Sequence, residues 1–237
     1  MGKNLKGAFI YLGIIFISVI LVYKLPQDSY SMIQYIVKPI RFENSVLNLS
    51  GLVPLIMLFV GIRGLCRLEW FADKSKLLIT IIVLILVMPA MRGTLDMAKT
   101  IYLSNLNNEM RSIDFKDIDI KISSITDHDV TMNIKLELTD YREDMSDFQI
   151  RMYLPDSWTV YFNKKFIDFD ESYKSFGRRR PIIVDKEISV QLADGITRDN
   201  VFDSQWYWET FEFELWSSVK ISDKLKVNKF PCLIHFI

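Results

Sequence analysis

The sequence predicts two kinds of structure in one chain: a membrane anchor of three α-helical spans, followed by an all-β antiparallel sandwich domain. Three observations predict it. Long apolar runs crowd the segment before Arg92. The hydrophobic period then changes from about 3.6 to 2 at Phe115. The charge balance reverses at nearly the same place. Before residue 112 there are 12 Lys/Arg against 6 Asp/Glu, and from residue 112 onward 17 against 23, so the zero net charge of the 237 residues conceals a basic half and an acidic half.

The expected spans are about 7–23, 49–66 and 77–91, within a membrane region 1–92. Lys6 and Lys24 bracket the first, Arg63 and Arg67 close the second, and Lys76 and Arg92 bracket the third. Each is at or just below the usual spanning length of about 17–25 residues. All three are apolar on every side, with no polar stripe to face water. Their flanking cations can snorkel to the headgroups, which is also the reading for Arg63. The stretch "VYKLPQDSY" offers no small-x-small cleavage site, so the first run reads as an uncleaved anchor. In the loop that follows, "YSMIQYIVKPI" has the pattern of a short interfacial helix, with Tyr30 and Tyr35 at headgroup depth. The second loop packs Arg63, Arg67, Lys74 and Lys76 densely, which places it and the N-terminus in the cytoplasm and the C-terminal domain outside. The predicted location is therefore a multi-pass protein of the cell membrane. Cys66 and Cys232 would then lie on opposite sides, unable to pair, and a disulfide-free outer domain suits a bacterial envelope.

Residues 93–112 read as a helical stalk, with Leu95, Ala98, Tyr102 and Leu106 at helical spacing. The extracytoplasmic domain is 113–237. Its candidate strands are 115–124, 129–139, 147–153, 157–163, 181–193, 206–216 and 225–236, separated by turn residues such as Asp156, Gly177 and Asp194-Gly195. About seven short strands in this length suggest a two-sheet sandwich of immunoglobulin-like type. The segment "TMNIKLELTDY" resembles the opening of immunoglobulin-like domains on bacterial cell surfaces; the likeness spans about a dozen residues and implies no function.

Three stretches could form sites. "KSFGRRRPI" gathers Arg178, Arg179 and Arg180 beside Lys174, the one basic patch of the acidic half, suited to phosphate, anionic headgroups or a partner's carboxylates. The plainer expectation is a loop paired with Asp168, Asp170 and Glu171 across the same hairpin. Those three carboxylates are also a calcium candidate, though too few to hold the ion alone. "SQWYWETFEFELW" offers Trp206 and Trp208 as interface anchors if they are exposed, while Phe211, Phe213 and Leu215 belong to the core. A change of phase near Glu209-Thr210 suggests a bulge.

His128 and His235 have no second ligand at metal spacing, and no nucleotide-binding or nucleophile motif is present. No cofactor or metal is expected. An acidic domain makes a poor nucleic-acid binder. The leading expectation is a non-enzymatic accessory subunit that sits in the lipid bilayer, docks on a membrane-protein partner and presents its outer domain for binding. The alternatives are a sensor or immunity-type protein that captures a peptide or lipid, and a membrane enzyme acting on lipid or cell wall through Asp168/Asp170 or Glu212/Glu214.

Overall fold

After Lys6 the N-terminal segment has no charge until Lys24, and in the computed structural model it forms one helix, α1, Gly2–Val22. The structure describes residues 2–28, 30–38, 40–42, 45–47, 49–71, 73–106, 109–142, 146–176, 179–203, 208–217 and 224–236. By contact the chain divides into two units, Met1–Leu25 with Tyr30–Lys99, and Pro26–Ser29 with Thr100–Ile237.

In the helical unit, α1 is followed by a short helix α2, Met32–Ile36, and a hairpin of β1, Ile40–Phe42, and β2, Ser45–Leu47. Then comes α3, Leu52–Leu65. Pro54 stands in its first turn, where the missing N–H has no intrahelical acceptor to lose. Helix α4, Lys76–Ile82, continues through a π-turn at Val83–Val87 into α5, Met88–Ser104. Pro89 explains that π-turn. Its ring would collide with the carbonyl one turn earlier, and the wider turn, in which the Met88 N–H reaches back to the Val83 carbonyl, makes room.

Among the described residues two helices are long and apolar enough to cross a membrane, Asn4–Val22 with 19 residues and Lys76–Ser104 with 29. The middle helix, at 14 residues, is shorter than its expected span, and the helix through 77–91 runs on unbroken to Ser104. Arg63, in the last turn of α3, and Arg67 just beyond it are both exposed.

Helices α1 and α3 approach closely because α3 presents glycine. A Cβ on Gly61 would lie 2.6 Å from Ile15, and one on Gly64 would lie 2.2 Å from the Tyr11 ring. Small residues at such a crossing let backbones meet without cavities. Ser18 Oγ donates to the Pro54 carbonyl at 2.8 Å in the same buried contact. Away from it the helices are bare, with Phe9 68%, Leu77 71% and Ile85 71% exposed.

The β unit has its own core. Its strands are β3, Ile113–Ile125; β4, Asp129–Asp140; β5, Ser146–Tyr153; β6, Phe166–Asp168; β7, Tyr173–Ser175; β8, Pro181–Gln191; β9, Trp208–Ser217; and β10, Lys224–Phe236. A short helix α6, Arg198–Asp203, precedes β9. The strand order is β6-β5-β9-β10-β3-β4-β8, with β7 also on β5. All of these pairs are antiparallel except one. Strand β10 runs antiparallel to β9 as far as Leu233, then its last residues run parallel to Ile120–Ile122 of β3. The expected all-antiparallel sheet is corrected at that one pair.

Period-2 patterning places the core. Val130, Met132, Ile134, Leu136 and Leu138 are all fully buried, facing Phe148, Ile150 and Met152 of β5 and Phe211, Phe213 and Leu215 of β9. A second correction falls at 157–163, which forms turns rather than a strand. Trp158 N–H donates to the Pro155 carbonyl and Phe162 N–H to the Trp158 carbonyl, at 2.9 and 3.2 Å. Helical spacing puts Trp158 and Phe162, four apart, both inside, and leaves Val160 69% exposed. The Trp158 ring meets Phe211 edge-on at 5.3 Å. The expected bulge near Glu209 lies instead across the ladder, where β10 shifts register between Val227 and Phe230.

Candidate functional site

Two surfaces of the β unit combine charge, rings and fixed geometry. The first is the outward face of β5, β6 and β9. Alternation turns Gln149, Arg151 and Tyr153 away from the core that Ile150 and Met152 enter. Register puts Arg151 directly opposite Asp168 of β6 on one side and Glu214 of β9 on the other. Its guanidinium takes Asp168 in a fork, Nε at 2.5 Å and Nη2 at 3.0 Å, with Glu214 at 3.9 Å. It also lies 4.0 Å from the Phe166 ring centroid and 5.3 Å from that of Trp216. Tyr153 Oη donates to Glu214 at 2.8 Å, and Trp216 Nε1 donates to Gln149 at 2.7 Å. The Asp168 hydrogen bond raises the guanidinium's pKa above its ordinary value, so Arg151 is a permanent cation. The arrangement is a polar–aromatic platform set by the cross-strand register.

The second surface surrounds Asp140, at the end of β4. Ser112 Oγ donates to it at 2.8 Å, Ser175 Oγ at 2.5 Å, and the Arg142 guanidinium grips it at 2.7 Å. Asp140 is fully buried and the Arg142 side chain 11% exposed. Burial pushes the carboxyl up; hydrogen bonds from Arg142 and Ser175, with the Arg142 charge, outweigh that and hold it below the ordinary value. The Asp140 carbonyl accepts from the Arg179 N–H at 2.9 Å, holding Arg179 at φ 60°. Nearby, the Arg179 guanidinium and Lys116 Nζ lie 5.6 and 5.9 Å from the Tyr141 ring centroid.

The residues singled out from the sequence fall as follows. Arg178 and Trp206 lie outside the described residues. Trp208 opens β9 opposite Leu233. Arg179 and Arg180 are exposed, and among the described residues neither forms an ion pair with Asp168, Asp170 or Glu171. Those carboxylates are spent elsewhere, Asp168 on Arg151 and Glu171 on Lys186. Among the described residues no three His, Cys, Asp or Glu side chains gather, so the calcium candidate Asp168, Asp170 and Glu171 is not assembled. Asp168 and Glu214, read separately from sequence, converge on one guanidinium. Sequence reading passed over Arg151 and the Asp140–Arg142 pair. The signal available was an arginine two residues from polar neighbours in an otherwise alternating strand, "DFQIRMY".

No protein-family model matches the chain. No curated protein matches it either. Among solved structures it is similar to the Pseudomonas fluorescens alkylpurine DNA glycosylase AlkC bound to DNA containing an abasic site analog, at 9% identity and a TM-score of 0.30 over 78% of this chain. The chain spans about half the length of that glycosylase, 48%, and a likeness this slight bears on neither fold nor chemistry.

Proposed function

We propose that the chain is a multi-pass membrane protein whose β unit, an immunoglobulin-like sandwich outside the membrane, binds a partner without catalysis. The observation that carries the binding reading is the Arg151 platform. It holds Phe166 39% exposed beside a fixed cation and two carboxylates, the ring-and-arginine composition of interface hot spots. Two features support the membrane. The long apolar helices keep most of their apolar surface bare, unlike core helices of a water-soluble protein. Their bracketing cations suit headgroups.

Strand topology supports the sandwich reading. One set, β3-β4-β8, and another, β6-β5-β9-β10, are joined only where the last strand leaves its partner to run beside the first.

A bond inside the β unit supports three crossings rather than two. Gln27 N–H donates to Asp114 Oδ1 at 2.8 Å, so the chain just after α1 and the start of β3 share one side. An even number of crossings must separate them. If Lys76–Ser104 crosses, α3 crosses too, and its shortness calls for local thinning of the bilayer and snorkelling by Arg63 and Arg67.

The test is topology. In a chain with Cys66 and Cys232 replaced by alanine, Asp127→Cys places one thiol in the exposed β3–β4 turn. Labelling of intact cells by a membrane-impermeant maleimide is expected; labelling only after lysis would overturn the extracytoplasmic assignment. A photo-crosslinker at Phe166 is expected to capture a partner that one at Ile183, exposed on β8, does not. Equal capture at both would remove the platform from the reading.

A further inference from the structure

One corner of the β unit gathers positive charge within an acidic segment. From residue 112 onward the chain has 17 Lys/Arg against 23 Asp/Glu, yet Lys116, Arg179 and Arg180 are brought to one place with Arg111, which just precedes that segment, all exposed. Asp140 is the pivot. Its side chain holds Ser112, next to Arg111, at 2.8 Å, and its carbonyl holds Arg179 at 2.9 Å. Lys116 also faces Asp114 at 3.7 Å and donates to Tyr141 Oη at 3.3 Å. Arg179 keeps a left-handed backbone, φ 60°, that residues other than glycine rarely adopt, and its guanidinium lies over the Tyr141 ring.

The same corner is tied to the chain leaving α1. Besides its backbone bond to Asp114, Gln27 donates through Nε2 to the carbonyls of Arg111 and Ile113. Gln27 follows Val22, the end of α1, by five residues, a reach of about 18 Å at most. Where α1 ends at the headgroups, Gln27 lies within that reach of them along the chain. Arginine forks match phosphate oxygens two at a time, and anionic leaflets attract cations held near their surface.

We propose that Arg111, Lys116, Arg179 and Arg180 form a docking surface for the anionic phospholipid headgroups of the leaflet that α1 reaches at Val22. This rests on the membrane reading above.

The test uses the full chain in neutral detergent with equimolar phosphatidylglycerol and phosphatidylcholine, with retained lipids counted by native mass spectrometry. Arg179→Asn, which tolerates the left-handed backbone, is combined with Arg180→Gln. The unaltered chain is expected to retain phosphatidylglycerol preferentially. The double variant should lose that preference by roughly fivefold for each arginine, while Lys135→Gln, exposed on β4, leaves it unchanged. An unchanged preference in the double variant would overturn the proposal. So would displacement of the lipid by millimolar inorganic phosphate, which would mark a site for a soluble anion. Should the double variant misfold, Arg180→Gln alone carries the same comparison. Failure of the membrane reading shows separately, as release of the unaltered chain from membranes by alkaline carbonate.

Discussion

Asp140 draws Ser112, Arg142 and Ser175 onto one buried carboxylate, while its backbone carbonyl takes the Arg179 N–H, so the ends of several strands depend on a single negative charge. Arg142 is only 11% exposed and keeps its own charge when Asp140 loses its own. Asp140→Asn is therefore expected to cost about 3 kcal/mol, read as a lower denaturant midpoint for the sheet signal at neutral pH. A variant within about 0.5 kcal/mol of the unaltered chain would mean that the cluster is incidental. The pH dependence has a definite sign. Because the folded carboxyl sits below its ordinary value, its stabilisation is present above the unfolded value of about 3.9 and fades as pH falls through the folded one. The asparagine variant should lack that acid loss. Tyr173 behaves oppositely. Burial, then the charges of Glu171 and Asp170, push its phenol up to about 12. Its contribution is present below about 10 and lost as pH rises through 12. Phenolate absorbance should show a late ionisation that Tyr173→Phe removes.

Among the elements, what the sequence disclosed depended on whether one periodicity explained each apolar residue. Strand β4 alternates without exception, and every expected inward residue from Val130 to Leu138 is buried. At 157–163 two periods competed. Trp158, Val160 and Phe162 alternate as a strand would, but Trp158 and Phe162 are also four apart, and Pro155-Asp156 starts a turn that the helical spacing completes. Only the exposure of Val160 separates the two, and an apolar residue does not announce it. The Arg151 platform was illegible for another reason: its partners Asp168 and Glu214 lie on different strands, and pairing between distant segments is not written in local pattern. Glycine spacing in α3 was visible but had no stated neighbour. The structure supplies Tyr11 against Gly64, and Gly64→Leu is expected to force α1 and α3 apart at a cost of about 1–3 kcal/mol or more. Helical signal in detergent should then melt earlier. Gly13→Ala, where nothing lies within 4 Å of the added methyl, should instead stabilise α1 by about 1 kcal/mol.

Among the described residues the buried side chains form two hydrophobic cores that share no residue. One runs from Ile15 through Leu65 to Val83, the other from Met110 to Leu215. Residues far apart and without a common partner contribute additively to stability, usually within about 0.5 kcal/mol. Gly64→Leu should thus shift the helical melt without moving the sheet's denaturant midpoint, and Asp140→Asn should do the reverse. The double variant should show the two separate losses and no more. Gln27 makes the division sharper than chain order would. It lies between α1 and α2 in sequence, yet its bonds go to Asp114, Arg111 and Ile113 of the β unit. Gln27→Gly, which suits the left-handed backbone at φ 59°, removes the side-chain amide that bonds the Arg111 and Ile113 carbonyls, and it should lower the sheet's midpoint while leaving the helical melt in place. A loss confined to the helical melt would assign Pro26–Ser29 to the helices and withdraw the crossing count that depends on it. A loss confined to the sheet would keep Pro26–Ser29 with the β unit, and with it the even number of crossings proposed between Gln27 and Asp114.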